Sequence, residues 1–351
     1  MIPRFALADG FEISRVIKGG WHLAGDHGII DPLQAQRDMA SFVQTGITTF
    51  DCADIYTGVE ALIGAFRQAY PDLARHVQVN TKFVPDLSNL ATMTGRDVEA
   101  IIDRSLLRLG MEQLDNVQFH WWDFSQPRYV EIALELDRLR RAGKIGRIGV
   151  TNFDVGHLHE ICAAGVPIVS HQVQYSLLDD RPNHGMVAFC RAHGIKLFCY
   201  GTVAGGFLSE RWLSKAEPAA GITNRSLIKY KLIIDDFGGW PLFQRLLAAL
   251  QGVAVRHGTD IATVASRAIL DRDQVAAVIV GATSATHLTA HEQIGSLKLD
   301  GEDFAEIEAV TRLRRGPGGD IYELERDRTG RHGRIMKYEL NKLPEKTTNT
   351  A

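Results

Sequence analysis

The sequence has 351 residues, of which 39 are basic and 42 acidic, so its formal net charge is only −3. This balance argues against a general role in binding nucleic acid or an anionic membrane surface. The four cysteines form no CxxC pair, and no signal peptide or membrane-spanning apolar run is evident. We therefore expect a cytoplasmic protein with neither nucleic-acid nor membrane partners.

A β-hairpin is predicted at the start of the chain. In residues 3–17, "PRFALADGFEISRVI", a polar Ala-Asp-Gly turn separates two apolar stretches. Such a hairpin would close the N-terminal end of whatever sheet follows it.

After the hairpin, short apolar runs alternate with longer segments of helical period. The predicted strands cover residues 15–20, 48–53, 77–83, 116–122, 145–153, 168–175, 196–201 and 275–282. The predicted helices cover residues 31–46, 58–70, 95–110, 127–144, 154–165, 185–194, 241–258, 260–271 and 285–297. Several of these helices end in a glycine, as a left-handed C-terminal cap requires: Gly46, Gly110, Gly143, Gly165 and Gly194.

Eight apolar strands, each followed by helices, indicate a parallel sheet that is covered by helices and closes into a (β/α)8 TIM barrel. The alternative is a doubly wound sheet, which commonly carries GxGxxG after its first strand. Here the first strand runs into "KGGWHLAGDHG", which lacks that spacing. We predict an α/β protein with one (β/α)8 barrel domain over residues 1–311.

A C-terminal extension is predicted over residues 312–351. Its central part keeps apolar residues between Ile321 and Tyr338, so we expect it to pack on the barrel. Its last residues are polar and are expected to be disordered. The extension is basic in places, but interleaved acidic residues and the lack of an aromatic platform argue against nucleic-acid binding.

Polar residues stand at the carboxyl ends of three consecutive strands, where barrel enzymes place their chemistry. Asp51 ends the second strand with Tyr56 in the loop behind it, Lys82 ends the third, and His120 ends the fourth. Each alone has an ordinary structural explanation as a cap, a packing residue, an outward-reaching lysine or a core histidine. Together at one rim, they are poorly explained by packing alone.

These four residues suit the protonation of a carbonyl oxygen. A buried lysine needs a carboxylate, and Asp51 is the nearest candidate for Lys82. The ammonium would stabilise the ionised form of Tyr56 and so make it a usable general acid. His120 would donate a hydrogen bond to the substrate oxygen. Because no side chain delivers hydride, a nicotinamide or flavin cofactor is implied.

Seven motifs, in order, resemble those of the aldo-keto reductases: "FDCADIYTGVEALIG", "VNTKF", "VQFHWW", "RIGVTNF", "HQVQYSLLD", "LFCYGTVAGGFL" and "VIVGATSATHLTAHEQI". The resemblance spans roughly residues 3–310 and implies a barrel fold. It also implies a catalytic tetrad of Asp51, Tyr56, Lys82 and His120. In that tetrad Tyr56 would be the acid–base group, Lys82 would lower its pKa, and Asp51 would pair with Lys82.

The resemblance further implies a cofactor site. Thr151, Asn152 and Gln172 would hold the nicotinamide carboxamide, and Tyr200 would stack on the ring. A loop from Gly201 to Leu208 would cover the pyrophosphate. The complete predicted set is Gly20, Asp51, Thr151, Asn152, Gln172, Tyr200, Gly201, Thr202, Val203, Gly206, Leu208, Gly281, Thr283, His287 and His291.

The choice between NADP(H) and NAD(H) is left open. The family expectation is NADP(H), whose 2′-phosphate prefers Lys or Arg after the eighth strand. That stretch, "GATSATHLTAHE", has only histidines, so NAD(H) is the alternative, unless Arg211 or Lys215 supplies the charge. His287 and His291 lack a third ligand, and we predict no metal.

Aromatic residues after the strands predict the substrate pocket: Trp21, Phe83, Trp121 and Trp122. The expected partner is a small-molecule aldehyde or ketone, bound by a monomer or weak homo-oligomer. Two alternatives are a sugar (aldose) dehydrogenase on the same scaffold and a nucleotide-binding regulatory subunit. The intact tetrad argues against the regulatory subunit.

Overall fold

The computed structural model describes residues 2–24, 30–218, 222, 224–282 and 284–341. Two antiparallel strands, β1 (Arg4–Ala8) and β2 (Phe11–Ser14), precede the barrel. The barrel strands are β3 (Val16–Gly19), β4 (Thr49–Asp51), β5 (Gln78–Phe83), β6 (Asn116–Phe119), β7 (Ile148–Thr151), β8 (Ile168–Gln174), β9 (Lys196–Tyr200) and β10 (Val275–Gly281). All eight predicted strands are present, and each is shorter than its apolar run.

The eight strands form a closed parallel barrel in chain order. Strand β10 pairs with both β9 and β3, which completes the ring. The register brings the strand ends together, for instance Gly19 opposite Asp51 and Lys82 opposite Gln118. Closure leaves the eight-stranded sheet without a free edge and directs its eight carboxyl ends to one mouth. The predicted (β/α)8 fold is confirmed.

The N-terminal hairpin closes the opposite end of the barrel. Leu7, Phe11 and Ile13 pack with Phe198 and Ala277 in one apolar cluster. The hairpin leads directly into β3, and its apolar side chains cover the N-terminal end of the barrel core. This position agrees with the prediction.

Helices cover the outside of the barrel. Their bounds are α1 (Pro32–Gln44), α2 (Val59–Ala69), α3 (Pro71–Ala74), α4 (Gly95–Leu109), α5 (Tyr129–Arg141), α6 (Val155–Ala163), α7 (Met186–His193), α8 (Arg225–Phe237), α9 (Trp240–His257), α10 (Ile261–Leu270), α11 (Leu288–Ser296), α12 (Gly301–Thr311) and α13 (Glu323–Arg326). The five glycines predicted to end helices all have positive φ, between 62° and 93°. In the described part of the chain, no helix is long and apolar enough to cross a membrane.

Helix α8 was not predicted; it lies in the long segment between the seventh strand and the helix predicted from residue 241. The side chain of Asn224 accepts a hydrogen bond from the backbone N–H of Leu227 and so caps the helix. Ile233, Ile234 and Phe237 form its buried face. Helix α12 was missed as well, although Asp300 and Asp303 form a capping box at its start.

The chain beyond α12 returns to the mouth of the barrel. Its backbone pairs with the loop after β5, where Leu87 N–H donates to the carbonyl of Tyr338 at 3.0 Å. Asn341 donates through Nδ2 to the carbonyl of Val84 at 2.7 Å. We call residues 313–341 the tail. The residues from 342 onward, where disorder was predicted, lie outside the described residues.

Candidate active site

The carboxyl ends of β4 and β5 bring three of the predicted residues into direct contact. Lys82 Nζ donates to Asp51 Oδ2 at 2.7 Å and to the carbonyl of Cys52 at 2.9 Å. The same nitrogen lies 3.3 Å from the hydroxyl of Tyr56. Lys82 and Asp51 are both buried. The three side chains therefore form one continuous hydrogen-bonded line from carboxylate to phenol.

The loop that carries Tyr56 is held by Asp54, which the sequence reasoning missed. Asp54 Oδ2 accepts from the N–H of Val84 at 3.1 Å, and Oδ1 accepts from the N–H of Ile55 at 2.9 Å. Burial raises the pKa of Asp54 well above its usual value. These bonds tie the loop to the end of β5 and so fix the phenol next to Lys82.

The other oxygen of Asp51 is held by two glutamines. Gln118 Nε2 donates to Asp51 Oδ1 at 3.0 Å, and Gln172 Nε2 donates to the same oxygen at 2.6 Å. Gln118 was not predicted, although the alternation of β6 places residues 116, 118 and 120 on one face. The carboxylate is thus paired on one oxygen and doubly hydrogen-bonded on the other, as a buried charge requires.

The pKa shifts of Tyr56 and Lys82 differ in part from the expected ones. Burial raises the pKa of Tyr56, and Lys82 opposes this without reversing it. Burial alone would lower the pKa of Lys82, but Asp51 and Tyr56 together raise it above its usual value. Lys82 thus acts in the expected direction, toward a lower pKa of Tyr56, but the burial of the phenol outweighs this effect. In this cavity Tyr56 keeps its proton at neutral pH, because burial penalises the phenolate.

His120 also differs from its predicted role. Its Nδ1 lies 3.1 Å from the carbonyl oxygen of Thr151, which can only accept, so Nδ1 carries the hydrogen. Burial and the charge of Arg326 lower the pKa of His120 to about 3, so the ring is neutral. Its Nε2 is then an acceptor, and among the described residues it has no hydrogen-bond partner. The predicted donation to a carbonyl oxygen does not fit this tautomer.

A cavity of about 450 Å³ opens at the mouth of the barrel and contains the four predicted catalytic residues. Other predicted residues that line it are Thr151, Asn152, Gln172, Tyr200, Gly201, Thr202, Val203, Gly206, Gly281, Trp21 and Trp122. Residue 283 lies outside the described residues. Six predicted residues are not part of the lining: Gly20, Leu208, His287, His291, Phe83 and Trp121.

Strand alternation explains why Phe83 and Trp121 are not in the cavity. Successive side chains point to opposite faces, so Lys82 and His120 face the barrel interior while their neighbours face the helices. Phe83 packs against Phe119 in the core, with the two rings tilted and their centroids 5.9 Å apart. Trp121 is fully buried and donates through Nε1 to the carbonyl of Gln126 at 2.9 Å. Both are packing residues, and their prediction as substrate contacts is corrected.

The positions of the other four residues outside the cavity lining also have structural explanations. Gly20 N–H donates to the carbonyl of Asp51 at 2.7 Å, and a Cβ there would collide with that oxygen. Leu208 is buried in the core. His291 packs on Phe42, with ring centroids 5.8 Å apart, whereas His287 is exposed. No group of three potential metal ligands occurs among the described residues.

Amide groups at the ends of β7 and β8 offer one donor and one acceptor to a ligand. Tyr200 donates its hydroxyl hydrogen to Asn152 Oδ1 at 2.8 Å, which leaves Asn152 Nδ2 as a donor. Gln172 uses its nitrogen for Asp51 and Gln118, which leaves its Oε1 as an acceptor. The hydroxyl of Thr151 donates to the carbonyl of Gln172 at 3.1 Å and links the two strands.

The loop after β9 is packed against α8. Gly201 and Gly205 have φ of 76° and 64°, and a Cβ on either would come within 2.7 Å of the ring or hydroxyl of Tyr230. Tyr230 therefore lies directly on the glycine backbone. Two cations of the same helix, Arg225 and Lys229, also line the cavity. The sequence signal for them was their four-residue spacing, which places them on one face of a helix.

Comparison with known proteins identifies the family. A model of the aldo/keto reductase family matches residues 15–312. The chain belongs to the aldo/keto reductase family of oxidoreductases, which use nicotinamide cofactors. The flagellar radial spoke protein 5 of Chlamydomonas reinhardtii is 29% identical over 62% of this chain. That match covers 49% of the relative, so the chain spans about half of its length.

Two other comparisons cover most of this aldo/keto reductase. The NADH-specific methylglyoxal reductase of Escherichia coli is 25% identical over 83% of this chain and 92% of its own. The solved structure of a glycerol dehydrogenase from Gluconobacter oxydans superposes with a TM-score of 0.74 at 21% identity. It covers 91% of this chain and 97% of that one. At this identity, the similarity supports the barrel fold alone.

The tail of this aldo/keto reductase lies beyond the family match and forms part of the cavity wall. The tail residues that line it are Tyr322, Ile335, Met336, Lys337 and Leu340. Tyr322 packs edge-on against His120, with centroids 5.5 Å apart. The mouth is thus narrowed by a segment from the far end of the chain.

Proposed function

We propose that this aldo/keto reductase reduces an aldehyde or ketone to an alcohol with a nicotinamide nucleotide, and that Tyr56 supplies the proton. One observation carries the proposal. The hydroxyl of Tyr56 lies 3.3 Å from the Lys82 ammonium, which is bonded at 2.7 Å to Asp51, inside a cavity. This arrangement provides a proton donor together with a cation that stabilises the donor after the proton has left.

The residues present fit a nicotinamide ring and its carboxamide. A primary amide both donates and accepts hydrogen bonds, and Gln172 Oε1 and Asn152 Nδ2 provide the complementary atoms. Tyr200 provides an aromatic face beside them. The loop from Gly201 to Gly206 and the cations of α8 would hold the phosphates. The bound cofactor would supply the hydride that reduces the carbonyl carbon.

The raised pKa of Tyr56 keeps the phenol protonated, and so ready to donate its proton in reduction, at neutral pH. A phenol that keeps its proton can donate it as negative charge develops on the carbonyl oxygen. Lys82 remains protonated, because Asp51 and Tyr56 raise its pKa, and its charge stabilises the phenolate that results. In the reverse direction Tyr56 would have to be deprotonated first, which burial disfavours.

The cavity wall supports an apolar or ring-containing substrate. Trp21 packs edge-on against Tyr56, with ring centroids 5.0 Å apart, and Trp122 packs against His120 at 4.3 Å. Tyr322 of the tail adds a third ring. Because His120 Nε2 is an acceptor, a hydroxyl group is a better partner for it than a carbonyl oxygen.

We propose NADP(H) as the cofactor from the family resemblance, with NAD(H) as the competing choice. The stretch 282–296 has neither Lys nor Arg, and this feature favours NAD(H). Titration with NADPH and NADH under the same conditions decides between them. If NADH binds at least ten-fold more tightly than NADPH, a difference on the order of 1.4 kcal/mol, NAD(H) replaces NADP(H) as the proposed cofactor.

The central test is Tyr56→Phe, with Tyr70→Phe as the matched control outside the cavity. Each protein is mixed with NADPH or NADH and a panel of carbonyl compounds, and the loss of nicotinamide absorbance is followed. Tyr56→Phe should lose nearly all reduction but bind cofactor as the wild type does, because only the proton donor is removed. Turnover of Tyr56→Phe at the rate of Tyr70→Phe would refute the role of Tyr56.

A further inference from the structure

Arg326, in the tail, reaches across the mouth to the ends of β6 and β7. Its Nη2 donates to the carbonyl of Asn152 at 2.6 Å and to the carbonyl of Trp121 at 3.1 Å. Its guanidinium lies over the ring of Phe124, 4.2 Å from the centroid. A residue about 170 positions away thus binds the backbone of the two strand ends that border the cavity.

Arg326 contacts Asn152 where the backbone is in the left-handed conformation, which Asn tolerates better than most residues with a Cβ. The φ of Asn152 is 61°, in the left-handed region that residues with a Cβ seldom occupy. The backbone N–H of Asn152 donates to the carbonyl of Gln172 at 3.0 Å, and its carbonyl accepts from Arg326. Both sides of the residue are therefore held, and this conformation directs its side chain to the hydroxyl of Tyr200.

The neighbouring residue holds Arg326 in place. Glu325 is buried and accepts from Arg181 Nη1 at 2.9 Å and Nη2 at 3.1 Å. Arg326 is charged at neutral pH, and its contacts with Phe124 and Tyr322 are cation–π contacts. In the short helix α13, Glu325 thus anchors the tail through Arg181, and Arg326 binds the backbone at the ends of β6 and β7.

We propose that Arg326 is a positioning residue for the nicotinamide site, which fixes the left-handed backbone of Asn152 and thereby aims its amide at the cofactor carboxamide. The inference rests on the proposed function. It assigns part of the cofactor site to the tail, which lies outside the family match. Tight cofactor binding would then require a docked tail.

The test compares Arg326→Met with Arg328→Met, a matched control at an exposed tail residue that pairs with Asp123. Dissociation constants are measured by quenching of tryptophan fluorescence for two probes. One is the preferred nicotinamide nucleotide. The other is ADP-ribose, which lacks the nicotinamide ring and carries a 2′-phosphate only if the preferred nucleotide does. Arg326→Met should bind the complete nucleotide about ten-fold more weakly, because a displaced orienting group commonly costs that much or more. Its affinity for the ADP-ribose should stay unchanged, as should both affinities of Arg328→Met.

Arg326→Lys provides a second variant, which keeps a cation and one donor. We expect its dissociation constant to lie between those of the wild type and Arg326→Met, with KM for the nucleotide raised more than kcat is lowered. Arg326 does not position the nicotinamide site if neither Arg326 variant binds the complete nucleotide more weakly than the wild type does. The same conclusion follows if a variant binds both probes more weakly by the same factor. If the wild type binds the ADP-ribose but gains nothing from the nicotinamide ring, the proposed function falls with it.

Discussion

At the scale of single residues, the chemistry depends on the pair formed by Lys82 and Asp51. Both are buried, and their 2.7 Å contact offsets the cost of removing two charges from water. Two glutamines donate hydrogen bonds to the other oxygen of Asp51 and fix its orientation toward Lys82. The ammonium is consequently available to Tyr56 as a fixed cation.

Lys82→Met should therefore affect both activity and stability. We expect loss of reduction by more than 100-fold, since roughly 3 kcal/mol of transition-state stabilisation is typical of one such group. The unpaired Asp51 should destabilise the fold by about 3–5 kcal/mol. The double variant Asp51→Asn/Lys82→Met should recover much of the stability in urea unfolding without recovering activity. Equal stability of the single and double variants would contradict the buried pair.

The raised pKa of Tyr56 predicts the pH dependence of the reaction. Reduction requires the protonated phenol, so kcat/KM for reduction should stay level through neutral pH. It should fall only above about 10, the ordinary pKa of tyrosine. Oxidation of the alcohol product should rise over the same alkaline range. Rate profiles in both directions check this, and a fall in reduction centred near pH 7 would show that the phenol is acidified after all.

At the scale of elements, the tail is anchored by a buried cluster on α13 and the loop after β8. Arg181 donates to Asp179 and to Glu325, and all three side chains are buried. Burial would raise the pKa of Glu325, but Arg181 and Lys229 lower it to about 2. A lowered carboxyl pKa stabilises the folded state above the unfolded pKa of about 4.3, and the contribution is lost as pH falls toward 2.

Glu325→Gln should destabilise the protein by about 3–5 kcal/mol at neutral pH, because it leaves Arg181 buried with one partner fewer. The measurement is urea unfolding, with Glu302→Gln on the exposed start of α12 as the control. The difference from the wild type should shrink as pH falls from about 4.3 to 2, where the wild-type carboxyl is also neutral. A difference that is independent of pH would assign the effect to packing instead of charge.

At the scale of the whole molecule, helix α8 and the tail both line the cavity, and they contact each other. His332 of the tail pairs with Asp236 of α8 through Nε2 and Oδ2 at 2.8 Å. The far end of the tail binds the loop after β5 through Leu87 and Tyr338. The tail therefore bridges opposite sides of the mouth. We propose a monomer or a weak homo-oligomer, since the large exposed apolar side chains of the described residues, such as Leu33 and Val255, are on different helices.

Cofactor binding should protect these two segments more than the barrel. Hydrogen exchange followed by mass spectrometry, with and without nucleotide, should show slowed exchange in α8 and the tail, since both line the cavity. The melting temperature should rise as well, because a ligand at 100 times its dissociation constant stabilises the native state by about 2.7 kcal/mol. Protection confined to the barrel strands would exclude both segments from the binding site.

The amino-acid sequence alone determined the barrel and the residues on its catalytic rim. Alternating runs of β-branched and apolar residues define strands locally, and glycines at positive φ end helices whatever lies around them. Once eight parallel strands close, their carboxyl ends meet at one mouth, and the inward-facing polar residues there come together. Asp51, Lys82 and His120 could therefore be placed from their positions in the motifs.

The tertiary structure decided which side chains complete the cavity and how they are protonated. Phe83 and Trp121 carry the right chemistry for a pocket but face the helices, while Tyr322 comes from the tail. The neutral His120 and the raised pKa of Tyr56 depend on burial, which no local motif encodes. Arg326 reaches Asn152 across 174 positions of chain. Contacts of this range arise only when the folded chain brings distant segments together, and for that reason the sequence pattern did not reveal them.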